Sequence, residues 1–222
     1  NMGEVFSMFI MICIGLPAPL IAIHLLWVNL ITDSLPAISL GMDPKDPHNM
    51  KEKPRDPNES IFAHGGYFLT FGYGIIISLI TIAGFLLTAL HIFDLNNIDF
   101  TYYNLVHMTS LPNGDTLLHH CQTVAFTVLA VSQLFHMLGV SNFNRSFIYV
   151  FKNKNWMMLL AFIVGIALQL LVVEVPFFNS IFNTHNFDGF EWGIACGLAV
   201  VPLIFHEIFV LVKFIRKKLQ KV

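Results

Sequence analysis

Long apolar stretches alternate with short polar segments along the whole chain. Five stretches are almost free of Asp, Glu, Lys and Arg, and they cover residues 5–32, 61–93, 116–144, 155–173 and 192–212. Only Glu207 interrupts the last of them. Because about 20 apolar residues carry a helix across the hydrocarbon layer of a bilayer, each of the last four stretches predicts one transmembrane helix.

The first stretch contains turn residues in its middle, namely Gly15, Pro17 and Pro19. They predict a tight hairpin, with a short helix that ends near Leu16 and a second helix over residues 20–42. The first helix has only about 15 residues, which at about 1.5 Å per residue is roughly half a crossing. We therefore expect the chain to be the C-terminal part of a longer protein. The expected fold is an all-α integral membrane bundle of about five and a half transmembrane helices.

The composition restricts the class of protein. Apolar residue types make up 55% of the 222 residues, Asp, Glu, Lys and Arg together make up 12%, and the mean hydropathy is +0.68. A soluble domain carries about 25% charged residues. A net charge of −2 argues against a nucleic-acid partner, 22 Phe residues argue against disorder, and three separated cysteines argue against a disulfide scaffold. The composition therefore predicts a multi-pass protein whose surroundings are the lipid bilayer.

The basic residues predict the orientation of the helices. All 12 Lys and Arg residues lie in three polar segments, 43–60, 141–154 and 213–222. The other two polar segments, 94–115 and 175–191, contain acidic residues but no Lys or Arg. Because cytoplasmic loops carry the excess of basic residues, we expect the three basic segments, and with them the C-terminus, on the cytoplasmic side.

Two carboxylates, Glu4 and Asp33, fall inside predicted membrane segments. An ionised acid at the bilayer centre costs at least about 2.5–3.5 kcal/mol, so such a residue indicates function. Glu4 shares a helix face with Asn1, and Asp33 shares a face with Asn29 and Thr32. The hairpin turns these two faces together, which predicts a cluster of carboxylate, amide and hydroxyl oxygens around a dry cavity.

These ligands are hard oxygen donors, which suit Ca²⁺ better than a soft metal. Pro36, shortly after Asp33, leaves one helix carbonyl without its N–H partner near the cluster. The alternative reading is a polar network that only joins helices. His119, His120 and Cys121 suggest a second, soft-metal site, but no other cluster completes it, and we interpret them as interfacial residues.

A known family carries a similar sequence. The sixth transmembrane helix of P-type (type II) calcium-transporting ATPases closely resembles residues 25–37, which read Leu-Leu-Trp-Val-Asn-Leu-Ile-Thr-Asp-Ser-Leu-Pro-Ala. Residues 1–5 resemble the ion-binding part of the family's fifth helix, and residues 50–55 resemble the loop between helices six and seven. The resemblance covers the whole chain, from the second half of the fifth helix to the tenth.

The resemblance implies which residues bind the ion. Asn29 and Asp33 match ligands of one calcium site, and Asn1, Glu4, Thr32 and Asp33 match ligands of the other. A further ligand of that second site is a glutamate on the eighth helix, where this chain has Gln133. The amide keeps an oxygen but removes one charge. The resemblance thus favours two sites, the second weakened, although the number of ions, one or two, stays open.

The resemblance also implies that three segments of the chain have different roles. Residues 1–42 hold the ion site, 43–60 form a cytoplasmic connector, and 61–222 form a four-helix membrane region with a basic cytoplasmic tail. The family's phosphorylation motif and any P-loop are absent from the sequence. No catalytic residue is therefore expected here, and ATP and Mg²⁺ would bind to cytoplasmic domains elsewhere in the same polypeptide, which is the expected partner along with the first four helices.

The function that follows is the ion-binding membrane part of an ATP-driven pump that exports Ca²⁺ from the cytoplasm. One alternative is a P-type pump for another cation, such as Mn²⁺ or Na⁺. Another is a secondary cation carrier, although such carriers usually contain internal repeats and the sequence has no evident one. A third is a membrane scaffold without transport, which gives no reason for Glu4 and Asp33 to lie in the bilayer.

Overall fold

The computed structural model describes residues 1–32, 34–42, 56, 58–60, 62–141, 146–152 and 155–219. These residues form helices and connecting segments and contain no strand. In chain order the α-helices are α1 (Met2–Cys13), α2 (Ala22–Trp27), α3 (Ser34–Gly41), α4 (Gly66–Leu95), α5 (Tyr102–Val106), α6 (Gly114–Val140), α7 (Ile148–Lys152), α8 (Trp156–Glu174), α9 (Pro176–Phe182), α10 (Gly189–Ala199) and α11 (Val201–Leu219). The all-α fold is as the sequence predicts.

The expected count of membrane segments is confirmed. Within the described part of the chain, five helical segments are long and apolar enough to cross a bilayer, and they are Ala22–Gly41, Gly66–Leu95, Gly114–Val140, Trp156–Glu174 and Gly189–Arg216. Helix α1, with 12 residues, is apolar but shorter than a crossing. The division of the chain into an ion-site region, a connector and a C-terminal region stays a prediction, and most of the connector 43–60 lies outside the described residues.

The predicted hairpin forms, but its second arm is not one regular α-helix. The chain turns after α1 at Gly15, whose φ of 74° lies in the left-handed region that glycine adopts readily. Helix α2 then passes into a π-helical turn, Val28–Thr32, before α3 begins. Pro36 provides no N–H for the carbonyl of Thr32, so a regular α-helix loses a hydrogen bond at this point. Single π turns of this kind occur often at functional sites.

Helix α6 forms the centre of the bundle. It packs against α4, α8, α10 and α11, and it is buried on every side over residues 121–130. The outer helices instead expose large apolar side chains; Phe68 on α4 is 87% exposed and Trp156 on α8 is 71% exposed. An apolar exterior around a more polar central helix suits a bundle whose surroundings are lipid.

Helix α1 lies against α4 at a very short separation. A Cβ atom added at Gly74 would lie 2.6 Å from Cβ of Met2, and one added at Gly3 would lie 2.5 Å from Cγ2 of Ile77. Small residues permit this close approach of two helix backbones. The contact sets the position of α1 and therefore of Glu4, which follows Gly3 in the first turn of this helix.

Candidate ion-binding site

The structure brings Glu4 and Asn29 together across the hairpin. Glu4 lies in the first turn of α1 and is only 9% exposed. Asn29 lies in the π turn, and its Nδ2 is 3.2 Å from Oε1 and 3.5 Å from Oε2 of Glu4. The side-chain amide of Asn1 hydrogen-bonds Oδ1 of Asn29. Three of the six residues predicted as ligands are therefore in direct contact.

The π turn positions the Asn29 amide. Its Nδ2 also donates to the backbone carbonyl of Leu25, at 2.8 Å, one helical turn earlier. The amide nitrogen is thus shared between that carbonyl and the Glu4 carboxylate, while Oδ1 faces Asn1. A carboxylate and two side-chain amides from the two arms of the hairpin are therefore in contact, and their oxygens are of the donor types that Ca²⁺ takes in proteins.

Two other predicted ligands cannot be placed in this geometry. The backbone of Thr32 ends the π turn, while its side chain lies outside the described part of the chain. Asp33 is also outside the described residues. Among the residues that are described, no group of three or more His, Cys, Asp or Glu side chains is arranged to hold a metal ion.

The sixth predicted ligand, Gln133, faces a cavity beside the cluster. This cavity of about 530 Å³ lies between α1, α3, α4 and α6, and its lining includes Asn1, Pro36, Tyr73, Gln133 and His136. Gln133 of α6 and Asn1, which is bonded to Asn29, therefore line the same cavity. The role of Gln133 as a ligand stays a prediction.

Comparisons with known proteins identify the family. The family model described as the C-terminus of cation-transporting ATPases matches residues 17–212. The chain belongs to this family. It is 38% identical over 219 residues to calcium-transporting ATPase 1 of Bacillus cereus, which covers 96% of this chain and 23% of the relative. It is 32% identical over 205 residues to a calcium-transporting ATPase of Bacillus subtilis, covering 91% of the chain and 20% of the relative.

A plant protein is also similar to this cation-transporting ATPase region. Calcium-transporting ATPase 3, endoplasmic reticulum-type, of Arabidopsis thaliana is 29% identical over 224 residues, which are 98% of the chain and 22% of the relative. The chain thus spans less than a quarter of the length of these curated relatives. The resemblance to P-type calcium-transporting ATPases that the sequence indicated is confirmed, and the chain is a multi-pass membrane protein.

This ATPase region also contains a histidine cluster, at the ends of α6 and α10 opposite the basic segments. Nδ1 of His120 lies 2.8 Å from Oε1 of Glu191, which is 1% exposed. The His185 ring stacks on His120 with 4.4 Å between ring centroids, and the His119 ring is 6.3 Å from His185. Burial, together with the imidazoles of His120 and His119, lowers the pKa of His185 below its ordinary 6.5.

Sequence reasoning missed Glu191 as the partner of His120. A signal was present, because Asp188 and Glu191 have the spacing of a capping box. In the structure the Glu191 backbone N–H donates to Oδ1 of Asp188 at 2.7 Å, and the Asp188 N–H donates to Oε2 of Glu191 at 3.0 Å. The first of these bonds, together with His91, lowers the pKa of the Asp188 carboxyl. His120 is therefore bonded to the start of α10, and the described residues form no metal-binding group of His, Cys, Asp and Glu side chains here.

Proposed function

We propose that the chain is the ion-binding membrane part of an ATP-driven pump that moves Ca²⁺ out of the cytoplasm. The observation that carries the proposal is the pair of Glu4 and Asn29, a buried carboxylate held by an amide on a π turn within an apolar hairpin. The names of the similar bacterial and plant proteins support calcium as the transported ion. An ionised acid within a membrane segment is costly, and a bound cation or proton that neutralises it lowers this cost.

The proposed ligand set is that of the sequence prediction, and its members are Asn1, Glu4, Asn29, Thr32, Asp33 and Gln133. Ca²⁺ would take the oxygens of Glu4 and Asn29 in place of the N–H···O contacts that now join them. Glu4 and Asp33 supply two negative charges for one divalent ion. Gln133 supplies an oxygen from α6 without a further charge, which weakens electrostatic binding at that side.

The proposed transport cycle places ATP hydrolysis outside this chain. Cytoplasmic domains elsewhere in the polypeptide would bind ATP and Mg²⁺, and phosphorylation there would open the carboxylate cavity to one side of the membrane and then to the other. The basic segments and the C-terminus lie on the cytoplasmic side in this proposal, as the distribution of Lys and Arg favours. After ion release, a proton on Glu4 or Asp33 would avoid a bare anion in hydrocarbon.

The test is ATP-driven ⁴⁵Ca²⁺ uptake by vesicles that contain the complete protein with Glu4→Gln. Gln keeps the size and one oxygen of the side chain but removes the charge. We expect the apparent affinity for Ca²⁺ to decrease at least about tenfold, the loss that even an outer partner of a metal ligand causes. Asp33→Asn should have an effect of the same order.

The matched control is Asp99→Asn, which removes an exposed acid in a polar loop and should leave uptake unchanged. Uptake by Glu4→Gln equal to that of the unmodified protein would contradict the ligand role. ATPase activity that Mn²⁺ or Na⁺ stimulates and Ca²⁺ does not would contradict the choice of ion.

A further inference from the structure

Gln169 forms a hydrogen bond to Trp27, which directly precedes the π turn that carries Asn29. Its Oε1 accepts from Nε1 of Trp27 at 3.2 Å, and Gln169 is only 3% exposed in the C-terminal half of α8. Trp27 is the last residue of α2, directly before the π turn. A buried amide in an apolar helix is costly unless both of its ends are bonded. The contact therefore does more than fill space between the helices.

The second end of the Gln169 amide is bonded as well. Its Nε2 donates to Oγ1 of Thr127 on α6, at 3.2 Å. The indole N–H of Trp27 is a donor only, so the atom that faces it must be the amide oxygen, and this determines the orientation of the amide. One side chain thus joins three helices, α2, α6 and α8, at the level of the last turn before the π segment.

The same face of α2 has further contacts. The ring of His24, one turn before Trp27, stacks on Phe126 of α6 with 4.3 Å between centroids, and its Nε2 lies 2.8 Å from the carbonyl oxygen of Phe182. The Trp27 ring packs edge-on against Phe182 at 5.0 Å. This face is therefore fixed to the bundle, while Asn29, two residues after Trp27, faces Glu4 on the other arm of the hairpin.

A π turn makes this anchoring important for Asn29. The backbone at such a turn is between two hydrogen-bond registers, i to i−5 and i to i−4, and a change of register rotates the residues within it. The register at Val28–Thr32 therefore depends on how firmly the residues before it are held. Trp27 is the residue in contact with the turn, and Gln169 is its hydrogen-bond partner.

We propose that Gln169 is a positioning residue of the ion site. It holds Trp27 and thereby sets the rotation and depth at which Asn29 meets Glu4, without contacting the ion. This inference rests on the proposed function, because it assigns Gln169 an effect on ion affinity. It differs from a role in folding alone, because the predicted effect is on binding at the π turn and not on the amount of folded protein.

The test compares Gln169→Met with the unmodified complete protein in the ⁴⁵Ca²⁺ uptake assay. Met has a similar length and no hydrogen-bonding amide. We expect the Ca²⁺ concentration for half-maximal uptake to increase about three- to tenfold, the effect of losing one or two hydrogen bonds. The maximal rate per folded molecule should stay within about twofold, since no group that contacts the ion is removed.

Trp27→Phe removes the same hydrogen bond by changing its donor. If the Gln169→Met protein does not accumulate, Trp27→Phe alone tests whether this bond affects Ca²⁺ affinity. It should cause a similar shift in half-maximal Ca²⁺, and the double variant should add little to either single change. Thr127→Val, which leaves the Trp27–Gln169 bond in place, should cause a smaller shift. Thr88→Val removes a buried hydroxyl that donates within α4 to the Gly84 carbonyl, and it is the control that should not shift half-maximal Ca²⁺.

The inference is overturned if Gln169→Met and Trp27→Phe leave half-maximal Ca²⁺ unchanged while Glu4→Gln abolishes tight binding. It is also overturned if their shifts are fully additive, or if they reduce only the yield of folded protein. If Glu4→Gln itself has no effect on uptake, the proposed function fails first, so the two failures are distinguishable.

Discussion

His120 and Glu191 form a hydrogen-bonded pair that joins α6 to the start of α10, with 2.8 Å between Nδ1 and Oε1. The other carboxylate oxygen of Glu191 accepts the N–H of Asp188 at 3.0 Å. A single buried side chain thus both caps a helix and connects it to the central helix of the bundle. Both bonds depend on the carboxylate, so its removal leaves two polar groups without their partner.

We expect Glu191→Ala to lower the stability of the protein by about 1–3 kcal/mol, the usual cost of leaving buried polar partners unsatisfied. The melting temperature of the detergent-purified protein, followed by size-exclusion chromatography after heating, measures this change. Asp115→Ala is the control, because Asp115 is an exposed acid in the first turn of α6. Equal melting temperatures for the two variants would show that the Glu191 contacts contribute nothing.

The stability should also depend on pH through His185. The folded protein lowers the pKa of His185 through burial and through the neighbouring imidazoles, so the unfolded chain binds a proton more readily than the folded one. The contribution of this group to stability is therefore fully present above about pH 6.5, its ordinary pKa, and decreases as the pH falls below that value. Asp188, whose pKa is also lowered, loses its contribution only in more acidic solution.

Replacement of His185 by Asn tests this dependence. Melting temperatures measured between pH 7.5 and 5.5 should decrease less steeply for His185→Asn than for the unmodified protein, since one proton-binding group is gone. His107→Asn is the control. His107 directly follows α5, and its ring stacks on Tyr103 and not on the histidines next to Glu191. Parallel pH curves for His185→Asn and the unmodified protein would refute the assignment.

The membrane helices were predictable because hydrophobicity alone determines them. The sequence predicts a span over residues 155–173, and α8 covers Trp156–Glu174. The last span is interrupted next to Pro202, since α10 ends at Ala199 and α11 begins at Val201. Hydrophobicity determines where such a span begins and ends, and a proline determines where a helix within it is interrupted.

The π turn was not predictable in the same way. Residues 28–32 have the apolar character of an ordinary helix, and the change of register depends on Pro36 and on packing to other helices. The juxtaposition of Glu4 and Asn29 was predictable, because a short hairpin leaves few alternatives. The partner of Trp27 was not, since Gln169 is 142 positions away and nothing local connects the two.

The short separation of α1 and α4 leads to a prediction about two neighbouring glycines. A Cβ at Gly74 would lie 2.6 Å from Cβ of Met2, whereas a Cβ at Gly72 would have no heavy atom within 4 Å. Gly74→Ala must therefore displace α1 from α4, at a cost of about 1–3 kcal/mol for overpacking. Because Glu4 moves with α1, the Ca²⁺ concentration for half-maximal uptake should increase together with the loss of thermal stability.

Gly72→Ala is the matched control, because Gly72 lies on nearly the opposite side of the same helix. The added methyl group meets open space, and alanine is the better helix former, so stability should stay the same or increase slightly. Melting temperature and half-maximal Ca²⁺ are measured for both variants in the complete protein. If Gly74→Ala and Gly72→Ala behave alike in both measurements, the α1–α4 contact does not set the position of Glu4. A change in Gly74→Ala alone shows that the position of the Glu4 carboxylate depends on the contact of Gly74 with α1.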